Sequence, residues 1–180
     1  MKKLKLALIV LFFPAMAFCQ VFNTASTLAP GKFSLGVNPV VYDNDFGLFL
    51  HGGVGIKPGV DLAMRYGFLE GEDYFGADIE WRLLGGGKPG ISLITGAHKY
   101  WRGGLDLGLN ISFPITSGVS LYTGLDMDIN FWPDNTIVPV WLPVGVEIPL
   151  KSNISFMFEA EIPLSDEARS IFGGGLAFYF

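Results

Sequence analysis

The sequence has little of what a secreted soluble domain usually relies on. Cys19 is the one cysteine in 180 residues. Cleavage before Gln20 would leave a chain with none, which excludes a disulfide framework and thiol chemistry. Charge is scarce too. Asp, Glu, Lys and Arg make up 16% of the residues, against about 25–35% on an ordinary soluble surface. The net charge is -5, and losing Lys2, Lys3 and Lys5 with no acidic residue would take it to -8, an unfavourable balance for binding nucleic acid. Beyond the N-terminus no apolar run reaches the roughly 20 residues of a membrane helix, and no stretch carries helical periodicity. A Walker loop, a dinucleotide fingerprint and zinc-ligand spacing are all missing, so neither a cofactor nor a metal is expected.

The N-terminus is a separate piece. Residues 1–19 have a basic start and then an apolar run from Leu6 to Phe18, interrupted by Pro14. That is the form of a secretory signal peptide, with cleavage near Cys19/Gln20. Lipidation at Cys19 is disfavoured by the bulky Phe18 before it. About 160 mature residues make one domain.

Half of the chain is hydrophobic, and after the leader that half is interleaved with small and polar residues at period two. In "VSLYTGLDMDINF", Val119, Leu121, Leu125, Met127, Ile129 and Phe131 share one face; Tyr122, Gly124, Asp126, Asp128 and Asn130 share the other. Alternation of that length predicts a strand. Ten such segments are expected, at 32–42, 46–56, 60–69, 74–84, 91–101, 105–114, 119–131, 137–149, 154–163 and 170–180. The eighth is the weakest, because Pro139, Pro143 and Pro149 each remove a ladder donor. Val60, Ile91, Val119 and Ile154 restart strands after similar short Pro- or Gly-containing turns, roughly 30 residues apart, a hairpin-sized repeat. Longer acidic and aromatic loops fall at the other end.

Two closed solutions exist for ten such strands. A soluble barrel turns its apolar face inward, to hold a lipophilic ligand; a membrane barrel turns it outward. The polar face is rich in Gly, Ser and Ala, a poor solvated exterior but good packing for a narrow lumen. Aromatics gather near segment ends, at Phe33, Phe46, Phe68, Phe75, Trp101, Phe113, Phe131 and Trp132, as interfacial girdles do. The chain then ends "GGGLAFYF", alternating to its last residue. These features resemble small bacterial outer-membrane β-barrels, in a glycine-rich, aromatic style similar to those of Bacteroidota. The resemblance implies an all-β, ten-stranded antiparallel up-and-down transmembrane barrel at 32–180, after a periplasmic segment at 20–31. It also implies that Leu176, Phe178 and Phe180 form a signal for the barrel-assembly machinery, with Phe180 closing the barrel against the first strand near Phe33–Val41.

With the apolar face outward, Asp61, Arg65, Asp78, Glu80, Arg82, Asp106, Asp126, Asp128, Glu147, Glu159 and Glu161 face the lumen, with His51 and His98. Buried charge is costly unless paired or watered. Asp61, Arg65, Asp78, Glu80 and Arg82 are expected to form an ion-pair network. Asp106, Asp126, Asp128, Glu159, Glu161 and His98 are expected to form an acidic cluster. The expected function is a non-enzymatic barrel, structural or a narrow cation-preferring pore. The alternative is an outer-membrane protease or lipid-modifying enzyme using those carboxylates and His98, but no nucleophile stands beside them in the sequence and no catalytic residue is assigned. The loop acids, including Asp45, Glu70, Glu72, Asp73, Asp134, Asp166 and Glu167, could bridge divalent cations to lipopolysaccharide. Outer-membrane lipid and lipopolysaccharide are the expected surroundings.

Overall fold

A computed structural model describes residues 22, 24–42, 45–85, 89–116 and 118–180; the expected signal peptide lies outside them. The strands are β1 (Phe33–Tyr42), β2 (Asp45–Lys57), β3 (Val60–Phe68), β4 (Tyr74–Leu84), β5 (Gly90–Tyr100), β6 (Arg102–Pro114), β7 (Ser120–Phe131), β8 (Thr136–Ile137), β9 (Val140–Lys151), β10 (Ile154–Pro163) and β11 (Ile171–Tyr179). Each long strand pairs antiparallel with its sequence neighbours, and β1 pairs with β11 to close the sheet. The two-residue β8 pairs only with the end of β7, so ten long strands make the wall. Closure leaves no bare edge, a condition lipid imposes because it cannot satisfy free N–H and C=O groups.

The terminal strand does what its alternation predicts. Leu176 stands opposite Val37, and Phe178 opposite Leu35. Phe180 N–H donates to Phe33 O at 2.9 Å, and Phe33 N–H donates back to Phe180 O at 3.2 Å. The last residue thus completes the seam with the first barrel residue.

All ten predicted strands are present, with ends shifted by three residues or fewer. The eighth starts three residues late, at Val140, and is irregular along its length, and its prolines explain why. Pro139 lies in the break between β8 and β9, where its carbonyl accepts from Asp128 N–H at 3.1 Å. Pro143 falls in a gap of the β7–β9 ladder, between the Thr123–Val144 and Asp126–Trp141 pairs. There Thr123 Oγ1 donates to the Pro143 carbonyl at 2.8 Å in place of the missing ladder bond. Pro149 sits beside an irregularity in the β9–β10 register. A residue without an N–H is tolerated where the ladder is already interrupted.

The orientation of the strands settles which barrel this is. Leu121 and Leu125 are 45% and 47% exposed, while Asp126 and Glu159 are 1% and 2% exposed. Leu35, Val37, Met64, Leu107, Phe158 and Phe172 also point outward. The barrel is an outer-membrane type, apolar outside and polar within, and the soluble alternative with an inward apolar face is excluded.

One expectation is corrected. The segment at 20–31, anticipated as a periplasmic extension, instead runs into the lumen from the turn end over its described residues. Leu28 N–H donates to Asp61 Oδ2, Ala25 N–H to Ser112 Oγ and Phe22 N–H to Glu159 Oε1, each at 2.8 Å. Phe22 packs in an inner apolar cluster with Val40, Phe49, Tyr74, Met157 and Ile171. Its ring fits because residue 173 is glycine: a Cβ there would come 2.7 Å from the Phe22 ring. An irregular strap is admissible inside a membrane barrel only where its N–H groups find acceptors, and the inward polar side chains of β3, β6 and β10 supply them.

Candidate functional site: the polar lumen

The candidate site is the barrel interior. Period-two alternation sends Asp61 and Arg65 of β3, Asp78 and Glu80 of β4, Asp106 of β6, Asp126 and Asp128 of β7, and Glu159 and Glu161 of β10 into it, all buried. Arg65 is the one buried lysine or arginine among the described residues.

The turn-end half gathers most of the expected ion-pair network. Arg65 Nη1 donates to Asp78 Oδ2 in an ion pair whose two side chains are almost fully buried. Asp61 stands opposite Glu80 in the β3–β4 register and accepts from the strap. Glu147 is half-buried and accepts from Tyr179 Oη at 2.9 Å. Arg82 reaches this group from its edge, close enough to Asp61 to attract it electrostatically. It has the inward parity, but it lies at the end of β4, exposed, where its N–H donates to Gly59 O at 2.8 Å. Alternation predicts a side; it does not tell how far along the barrel a residue stands.

The other half, toward the longer loops, is different. Asp106 lies directly opposite Asp128 in the β6–β7 register. His98 of β5 reaches both sides: Nδ1 lies 3.3 Å from Asp106 Oδ1, and Nε2 lies 2.6 Å from Asn130 Oδ1. Gly104 makes this possible. It pairs with His98 on one side and Asn130 on the other, and a Cβ there would meet the His98 ring at 3.0 Å and Ile129 O at 2.6 Å. Above the cluster is a cavity of about 210 Å³, with His98, Asp128 and Asn130 in its wall beside Tyr74, Tyr100, Trp101, Trp132 and Trp141. Trp141 is fixed by Nε1–H donation to Arg169 O at 2.7 Å.

Sequence reasoning placed the carboxylates and His98 on the inward face. It missed the strap, and it missed the inward residues Asn38 and Ser92, which are buried as deeply as the acids. A signal for the first was present in "FNTASTLAP", where Phe22, Ala25 and Leu28 recur every three residues in a stretch without strand alternation.

No protein-family model matches this sequence, and no curated protein does. Solved structures do match in fold. The chain is similar to the NanC porin, with a TM-score of 0.59 and 8% identity over 80% of this chain and 98% of that one. It is also similar to the KdgM porin, with a TM-score of 0.54 and 9% identity over 82% and 99%. The KdgM porin in complex with disordered oligogalacturonate gives a TM-score of 0.56 at 9% identity, over the same 82% and 99%. At such identities the likeness is one of fold: that of bacterial outer-membrane β-barrels.

Proposed function

We propose that this protein is a non-enzymatic integral barrel of the bacterial outer membrane, and that its acidic lumen is a narrow, cation-preferring path throttled from the turn end by the N-terminal strap. The observation that carries the reading is the charge inside. Among the described residues, eight buried carboxylates share the interior with one buried arginine. A low-dielectric wall around a single sign of charge raises the local concentration of counter-ions, and charged rings select ions in narrow pores. The interior of a barrel this small is largely filled by side chains, and here the strap adds to the filling, so the conductance is small.

The remaining assignments belong to the same reading. Residues 1–19 direct export and are removed near Cys19/Gln20. Leu176, Phe178 and Phe180 present the assembly signal. Asp61, Arg65, Asp78 and Glu80 hold the turn-end half together. The loop acids face lipopolysaccharide through divalent cations.

Planar-bilayer recording of the refolded mature chain tests the path. The expected result is a low, cation-selective conductance that loses selectivity in Asp126→Asn with Glu159→Gln, and rises when residues 22–30 are deleted. Anion selectivity, or selectivity unchanged by the double substitution, would overturn the acidic path. Protease and lipase assays on the same material are expected to be negative.

A further inference from the structure

Three inward groups on three consecutive strands meet beneath the loop-end cavity. A nitrogen of His98 on β5 and one carboxylate oxygen each from Asp106 on β6 and Asp128 on β7 lie within 4.8 Å of one another, and all three residues are buried. The hydrogen bonding around His98 fixes which nitrogen is available. Asn130 Oδ1 can only accept, so Nε2 carries the proton and donates to it at 2.6 Å. Nδ1 then points at Asp106 Oδ1, 3.3 Å away, where a proton or a metal ion would satisfy both acceptors. Asp106 and Asp128 also meet side chain to side chain, and Asp128 Oδ1 is fully enclosed with no hydrogen bond of its own.

We propose that His98, Asp106 and Asp128 form a binding site for a divalent first-row transition-metal ion, with Asn130 positioning the imidazole. The donor set is one imidazole nitrogen and two carboxylate oxygens, which suits zinc and its neighbours. Metal-bound histidines commonly donate their other N–H to a carbonyl or carboxylate, and Asn130 holds that place. Ligand bonds of about 2.0–2.2 Å would require the three groups, now within 4.8 Å of one another, to draw in around the ion. An ion would also offset two facing carboxylates that otherwise cannot both stay ionised at close range. Access exists, because His98 and Asp128 line the cavity below Trp101 and Trp132; water in that cavity would complete the coordination.

The test is calorimetric titration of Zn²⁺ into the EDTA-treated, refolded mature chain in detergent micelles, with folding verified by heat-modifiable gel mobility. The expected result is one equivalent bound, weakened at least tenfold in His98→Gln and in Asp128→Asn, and unchanged in Glu159→Gln. EDTA should lower the thermal midpoint of the wild type and leave that of Asp128→Asn where it was. A folded wild type that takes up no Zn²⁺ would overturn the proposal and point to a proton shared between the carboxylates. So would uptake equal in all the folded variants, which would place the ion elsewhere. If His98→Gln does not fold, Asp128→Asn decides alone. Neither outcome depends on whether the barrel conducts.

Discussion

The two halves of the lumen solve the problem of buried charge differently. At the turn end, Arg65 neutralises Asp78 and the strap donates a backbone N–H to Asp61. Near the loops, Asp106 and Asp128 face each other across β6 and β7, and among the described residues Arg65 is the one buried arginine or lysine. The same alternation built both halves. One holds a buried arginine and the strap. The other kept an open cavity above it, reachable by water and ions. A barrel can therefore be internally braced at one end and depend on its surroundings at the other.

Substitutions on either side of that divide are expected to differ in sign as well as size. Arg65→Ala removes the buried ion-pair partner of Asp78. It should cost about 3–5 kcal/mol, read from urea unfolding in micelles. Asp128→Asn in the metal-free protein removes a charge that has no cation beside it, and should be neutral or stabilising. Equal losses in the two would erase the distinction.

A control on the outer wall comes next. Leu125→Arg places a charge on the lipid face and should cost about 2–4 kcal/mol if the position lies near the bilayer midplane. Gly104→Val probes the loop-end half by volume rather than charge. A side chain there collides with the His98 ring and Ile129 O, and overpacking of this sort costs about 1–3 kcal/mol. The smallest effect is expected for Thr123→Val, which deletes the bond to the Pro143 carbonyl, at about 1 kcal/mol. Its value lies in sharpening the comparison with Gly104→Val on the neighbouring strand, since it disturbs the proline break and leaves the acidic cluster alone.

The legible parts of this molecule were those set by a strict local period. Leu121, Leu125, Asp126 and Asp128 declare their faces by alternation alone, and Leu176 and Phe178 continue the pattern to the closing seam. The illegible parts depend on partners distant in sequence. Phe22 is buried because Gly173, some 150 residues later, lacks a side chain. His98 and Asn130 meet because Gly104 separates them with nothing. Arg82 shares the parity of Glu80 yet stands in the open, because its place at the end of β4 outweighs its face. The eighth strand starts late, at Val140: the missing donor of Pro139 was visible, but its consequence, a break with a separate two-residue ladder, was set by the β7 strand beside it.

The most direct measurement uses the single cysteine of the sequence to advantage. With the leader removed at Gln20, a cysteine introduced at Leu121 or Leu125 is the only one in the chain and can carry a nitroxide in reconstituted vesicles. Collision with dissolved oxygen should be high at both positions and collision with a water-soluble nickel chelate low, because both side chains meet acyl tails. Strong collision with the nickel chelate and weak collision with oxygen at both would contradict the outward apolar face, and with it the acid-lined interior.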